Sequence, residues 1–120
     1  MRLRDVMAVT EAKALSDNLD PDLDLLTAGA TDLMSDALRY DLMRSLLISG
    51  LANPQLVRTA EMADVSAVLL VRGKIPPPET VKLAQQVGIP ILATDLIMFE
   101  ACGRLFAAGM PACKRRNAAG

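Results

Sequence analysis

The sequence predicts an α/β fold: a three-layer-like parallel β-α-β-α-β core with helices on the sheet and additional helix and strand elements at the N-terminus. Two observations predict it. Three short apolar runs recur at Ser45–Ser49, Ala67–Val71 and Pro90–Thr94. They lack the polar alternation of a half-solvated strand, as strands covered on both faces do. The amphipathic spacers between them are long enough for the crossover of a dozen or more residues that parallel neighbours need. Leu46, Leu69 and Leu92 are therefore expected side by side in the middle of one layer.

The elements follow in order. Met1–Val9 reads as a short helix with Leu3, Val6 and Met7 on one face. Glu11–Ser16 fits a short strand or an extension of that helix. Asp17–Asp22 is a turn-rich loop, and Leu23–Thr31 an extended segment. Asp32 or Ser35 can cap a short helix running to Tyr40. The first core strand, Arg44–Ser49, stops at Gly50. Asn53 is a good N-cap and Pro54 suits the first helical position; Leu56, Val57, Ala60 and Ala63 form that helix's inward stripe. The second strand, Ala67–Val71, ends at Arg72-Gly73-Lys74. The helix Pro78–Val87 should turn Val81, Ala84 and Val87 inward, and Gly88 suits the residue just past its end. After the third strand, Ile89–Ala93, Thr94 or Asp95 can cap the last helix, with Ile97, Ala101, Leu105 and Ala108 on one face. Residues 1–110 then make one α/β domain and residues 111–120 a flexible C-terminal tail.

Composition narrows the function classes. Hydrophobic residues are 52% of the 120, with only 2% aromatic, so the core is aliphatic. With so few aromatics and a net charge of −1, neither base stacking nor a global field favours nucleic acid or an anionic membrane. The longest uncharged stretch, Ser45 to Val57, is interrupted by Pro54 and falls short of the ~20 residues that span a bilayer. There is no His, which removes imidazole bases, His-based triads and His metal ligands. Cys102 and Cys113 form no C-x-x-C pair, and with no signal peptide in view a reduced, cytoplasmic setting is expected.

Motifs for phosphate chemistry are missing. No G-x-G-x-x-G follows a strand, and Gly73-Lys74 lacks the earlier glycine of a P-loop. The Asp20-Pro-Asp22-Leu-Asp24 run has Leu25 where a calcium loop needs its turn glycine and Thr31 where it needs the bidentate Glu, so no metal is expected there. Ligands of open α/β sheets bind beyond the carboxyl ends of the strands. Those ends would gather Ser49, Gly50 and Asn53, then Arg72, Gly73 and Lys74, then Thr94 and Asp95. In a ligand site Arg72 and Lys74 would hold phosphate, and the helix starts near Asn53 and Thr94 would donate hydrogen bonds. As plain structure, Asn53 and Thr94 cap helices and Arg72 is a solvated loop charge, which also fits these residue types. No catalytic constellation and no cofactor are expected.

The segment from Ser45-Leu-Leu-Ile-Ser through Val68-Leu-Leu-Val-Arg-Gly73 to Phe99-Glu-Ala-Cys-Gly-Arg-Leu105 resembles DRTGG-domain proteins. The ending GIPILATDLIMFEACGRLFAAGM is the most distinctive part, and TAGATDLMSDAL is similar to the family's upstream glycine–aspartate region. The resemblance spans about Met1 to Pro111. The name-giving Asp-Arg-Thr-Gly-Gly is absent; its nearest equivalent is Leu26-Thr27-Ala28-Gly29-Ala30. The resemblance implies an architecture similar to the amino-terminal domain of HPr kinase/phosphorylase. It also implies a regulatory, often dimeric role beside CBS modules in pyrophosphatases regulated by adenine nucleotides, in phosphate acetyltransferases and in stand-alone proteins. This chain contains no CBS module of its own.

The first expectation is thus a non-catalytic regulatory or interaction module forming a homodimer, with a regulated enzyme encoded nearby as a further partner. Surplus apolar residues, with Met34, Leu42, Met43, Met98, Phe99 and Met110 as candidates, motivate the dimer. The alternative is a dedicated adenine-nucleotide sensor using the strand-end pocket. An enzyme with an unrecognised site ranks third.

Overall fold

The computed structural model describes residues 1–116. Its main sheet is five-stranded, in the order β1-β6-β5-β4-β2. The strands are β1 (Lys13–Ala14), β2 (Ala28–Ala30), β4 (Leu46–Ser49), β5 (Ala67–Leu70) and β6 (Ile91–Ala93). The four strands β2, β4, β5 and β6 are parallel, and β1 joins the β6 edge antiparallel. A second, two-stranded ribbon pairs β3 (Tyr40–Asp41) with β7 (Lys114–Arg115).

Helices cover both faces of the sheet, which makes the fold a three-layer α/β structure. Alternation along each strand divides the apolar side chains between two cores. Leu47, Val68, Leu70 and Ile91 pack beneath α2 (Met34–Ala37), α3 (Pro54–Met62) and α4 (Pro78–Val87). Leu46, Ile48, Leu69 and Leu92 pack beneath α1 (Leu3–Thr10) and α5 (Met98–Ala107). Every residue of β4 and β5 is buried, as the unbroken apolar runs require. The register places Ile48, not Leu46, opposite Leu69, and Leu69 opposite Leu92, while Leu46 faces Ala67. The three leucines share a face, but the central row is Ile48–Leu69–Leu92.

Local chemistry sets most boundaries. Asn53 Oδ1 accepts the Leu56 N–H at 3.3 Å, and Pro54 occupies the first turn of α3. Leu56, Val57, Ala60 and Ala63 are buried as expected. Gly88 closes α4 with φ +78, a conformation that glycine adopts without steric cost. On α4 the buried residues are Thr80 and Ala84, and Val81 is only half-buried. The Thr80 hydroxyl turns inward because it donates to the Ala52 carbonyl at 2.9 Å.

Of the two readings of Glu11–Ser16 the short strand holds: the chain leaves α1 through a left-handed Glu11, and Lys13–Ala14 form the edge strand β1. Several other expectations are corrected. Neither Asp32 nor Ser35 caps α2, whose N-cap is Leu33; the Leu33 N–H is bound by Thr31 Oγ1 instead. Neither Thr94 nor Asp95 caps α5, which begins three residues later, after Ile97. On α5 only Ala101 and Leu105 of the expected stripe are buried; Ala108 is exposed and Ile97 is 57% exposed. The stripe fails there because the helix starts late and ends against Gly109, so both end residues lie outside it. Residues 111–116 are not a free tail. Pro111 and Cys113 bracket Ala28 through backbone hydrogen bonds, and Lys114–Arg115 pair with β3. The remainder of the expected tail, 117–120, lies outside the described residues. Among the described residues no helix is long and apolar enough to cross a membrane.

Candidate functional site

Because β2, β4, β5 and β6 run the same way, their carboxyl ends meet at one edge of the sheet. Four short segments emerge there: Thr31–Asp32, Ser49–Gly50, Arg72–Lys74 and Thr94–Asp95. Two backbone hydrogen bonds tie the last two together, from Arg72 N–H to the Leu96 carbonyl at 2.8 Å and from Gly73 N–H to the Thr94 carbonyl at 3.0 Å. They hold Arg72 and Gly73 in successive left-handed conformations, φ +63 and +64. A non-glycine residue adopts that geometry at some backbone cost, and Arg72 shares it with Glu11, Arg44 and Asp64.

The turn aims the Arg72 side chain back over β4. Its Nη1 donates to Asp32 Oδ2 at 3.3 Å. The other carboxylate oxygen, Oδ1, accepts the Gly50 N–H at 2.6 Å and the Ser49 hydroxyl at 3.4 Å. One carboxylate thus gathers a backbone amide, a hydroxyl and a guanidinium. The Gly50 N–H, foremost, and the Arg72 charge and hydrogen bond hold Asp32 below the usual aspartate pKa, against a partial opposing effect of burial. The pair remains open to solvent, with the side chains of Arg72 and Asp32 41% and 48% exposed.

The eight residues expected at the strand ends do not form one pocket. Ser49, Gly50 and Arg72 belong to the Asp32 cluster. Gly73, Lys74 and Asp95 line a separate hollow of about 240 Å³ with Glu11, Lys13 and Ile75, beside the edge strand β1. Asn53 spends its side-chain oxygen on the cap of α3. Thr94 is buried; its hydroxyl donates to the Thr10 carbonyl at 2.6 Å and accepts the Leu96 N–H at 3.3 Å. It fastens α1 and the start of the β6–α5 connection to the sheet.

Asp32 is the residue that sequence reasoning missed. It was visible only as a possible cap within TAGATDLMSDAL, and its position became a strand end once β2 paired with β4. At the opposite end of the sheet, Asn18, Asp20, Glu61 and Asp64 line a polar hollow of about 340 Å³. Among the described residues no group of three or more His, Cys, Asp or Glu is arranged to hold a metal ion.

The outer side of α5 makes a contrasting surface. Phe99 and Phe106 are 85% and 71% exposed, and with Cys102, Gly29, Ala30 and Pro111 they border an apolar groove of about 350 Å³ between α5 and β2. The helix's own charges are engaged: Arg104 binds Glu100 at 2.7 Å and Glu11 at 3.1 Å. Of the apolar surface candidates, Met34, Leu42 and Met110 are buried in the cores and Met98 is half-buried, whereas Met43 and Phe99 are exposed.

No protein-family model and no curated protein matches the chain. A solved structure does: the CBS and DRTGG domains of the regulatory region of Clostridium perfringens pyrophosphatase, complexed with the activator diadenosine tetraphosphate. The superposition has a TM-score of 0.73 at 17% sequence identity and covers 97% of this chain. It covers 51% of that chain, so this protein spans about half its length. The likeness is one of fold: almost the whole chain folds as part of a CBS- and DRTGG-containing regulatory region does.

Proposed function

We propose that the chain is a DRTGG-type regulatory module without catalytic activity of its own, which acts as a homodimer and responds to a phosphate-bearing ligand of the adenine-nucleotide class at the strand ends. In this reading residues 1–110 are one regulatory domain, on which 111–116 dock. The observation that carries it is the fold likeness over 97% of the chain to a regulatory region complexed with diadenosine tetraphosphate. The position of Arg72 at the shared carboxyl edge of four parallel strands supports the placement of the ligand. Lys74 and Lys13, lining the neighbouring hollow, add positive charge for further phosphates. The absence of His from the sequence supports a non-catalytic role.

The homodimer rests on α5. Two of the chain's three aromatic residues stand exposed on that helix beside an apolar groove. A groove walled by two exposed phenylalanines offers a second copy the same apolar patch in return, as a two-fold interface requires. A specific interface of this kind buries more than ~1,000 Å² in total.

Two measurements test the reading. Sedimentation at micromolar concentration is expected to show a dimer that Phe99→Ala and Phe106→Ala together dissociate; a 12.8 kDa species alone would remove the dimer. A thermal-shift panel of ATP, AMP and diadenosine tetraphosphate is expected to raise the melting temperature, since binding to the native state stabilises it. No shift at millimolar nucleotide would remove the sensor.

A further inference from the structure

The Asp32 cluster has the composition of an anion seat with an anion already in it. A phosphoryl oxygen recognised at a strand end is bound by a backbone N–H, a hydroxyl and a guanidinium. The Gly50 N–H, the Ser49 hydroxyl and Arg72 are such a set, and all three converge on the Asp32 carboxylate. The carboxylate comes from a different strand end, 18 residues before Gly50 and 40 before Arg72 in sequence. Gly50 leaves room for this arrangement: a methyl group on its Cα would lie 2.3 Å from Arg72 Nη2.

We propose that Asp32 is a built-in competitor for this seat: a phosphoryl group binds Gly50 N–H, Ser49 Oγ and Arg72 only by displacing the Asp32 carboxylate. This deepens the sensing role proposed above and rests on it for the source of the phosphoryl group. A phosphate and Asp32 cannot share the donors, because the two anions would repel at contact distance. Displacement is feasible because the pair is half-exposed and an exposed ion pair is weak. The ligand therefore transfers Arg72 from the β2 side of the sheet edge to itself and frees the segment that leads into α2. Binding at the strand ends is thereby coupled to the β2–α2 connection.

The test follows the Gly50 amide resonance while inorganic pyrophosphate is added at constant ionic strength. Asp32→Ala is expected to lower the half-saturating pyrophosphate concentration about 1.4- to fivefold, the range to which an exposed ion pair converts. Asp32→Ala combined with Arg72→Ala is expected to abolish the response. Asp32→Asn keeps an acceptor for the Gly50 N–H without the charge; it should move half-saturation in the same direction and serves if the alanine variant does not fold. Equal half-saturation in the wild type and both Asp32 variants, no response in any of them, or an undiminished response without Arg72 would overturn the proposal. A parallel titration with ATP separates the two ideas. A seat that takes pyrophosphate but not ATP keeps the competition by Asp32 and discards the nucleotide.

Discussion

The Arg72 guanidinium sits against the bare Cα of Gly50, so close that a methyl group there would come within 2.3 Å of Nη2 and 2.6 Å of Cζ. The atoms in the way are the far end of a flexible side chain. Gly50→Ala is therefore expected to expel the guanidinium from Asp32 and leave the strand intact. Loss of one half-exposed ion pair costs about 0.2–1 kcal/mol. Urea denaturation should record a loss in that range. A loss above about 3 kcal/mol would mean that the backbone, rather than Arg72, had moved.

Asp32 also links stability to pH. Its folded pKa is depressed, first by the Gly50 N–H and then by Arg72, so the native state binds its proton less readily than the unfolded chain. The resulting stabilisation is fully present above the unfolded value of about 3.9 and disappears as pH falls through the lower folded value. The wild type should accordingly be more stable than Asp32→Asn at pH 6, with the gap closing as the solution is acidified below about pH 4. Equilibrium denaturation of both proteins from pH 6 to the acid limit measures it. A gap that persists or widens in acid would show that the Gly50–Asp32–Arg72 contacts do not lower this pKa.

The central row of the sheet makes the strongest stability claim. Leu69 and Leu92 are fully buried, face one another across β5 and β6, and pack beneath α1 and α5. Truncation of either to alanine removes about 2–5 kcal/mol through lost burial and the cavity left behind. Leu92 has Ala14 as its other cross-strand neighbour, whereas Leu69 lies between Ile48 and Leu92. Less surrounding bulk can close over a hole at Leu92 without rearranging the sheet. Chemical denaturation of the two variants is expected to place both within that range, and a cost below about 1 kcal/mol would contradict a sheet covered on both faces.

These three elements show where sequence was informative. The runs that became β4, β5 and β6 are apolar enough to announce strands covered on two faces, and Asn53-Pro54 and Gly88 mark helix ends by local chemistry that needs no tertiary context. β2 is Ala28-Gly29-Ala30, with little apolar area of its own; it is a strand because β4 offers an unpaired edge. β7 is Lys114–Arg115, charged residues that belong to a ribbon only through β3. Ser49, Gly73 and Arg72 could be placed at strand ends from their own runs, but Asp32 could be placed there only after β2 was known. Thr94 looked like a helix cap because its hydroxyl suits that role; its acceptor is instead the Thr10 carbonyl, 84 residues away in sequence.

The same long-range pairing gives the last prediction. Gly29 lies beneath the docked C-terminal segment, where an added methyl would meet Cys113 Sγ at 2.7 Å and Leu42 Cδ2 at 2.9 Å. Both neighbours are held, Leu42 by the core and Cys113 by the hydrogen bond from its N–H to the Ala28 carbonyl. Gly29→Ala is therefore expected to drive Cys113 Sγ out of its place against β2 and to loosen residues 112–115 there. Burial raises the Cys113 thiol pKa, partly offset by its own backbone N–H, with the Asp41 charge adding a lesser upward effect. Displacement of the segment hydrates the thiol, increases the thiolate fraction near neutral pH, and speeds its reaction with a disulfide reagent. The rate at Cys113, measured in a Cys102→Ala background, is expected to rise in Gly29→Ala while far-UV circular dichroism is retained. An unchanged rate would show that residues 112–115 are not packed over Gly29 in solution.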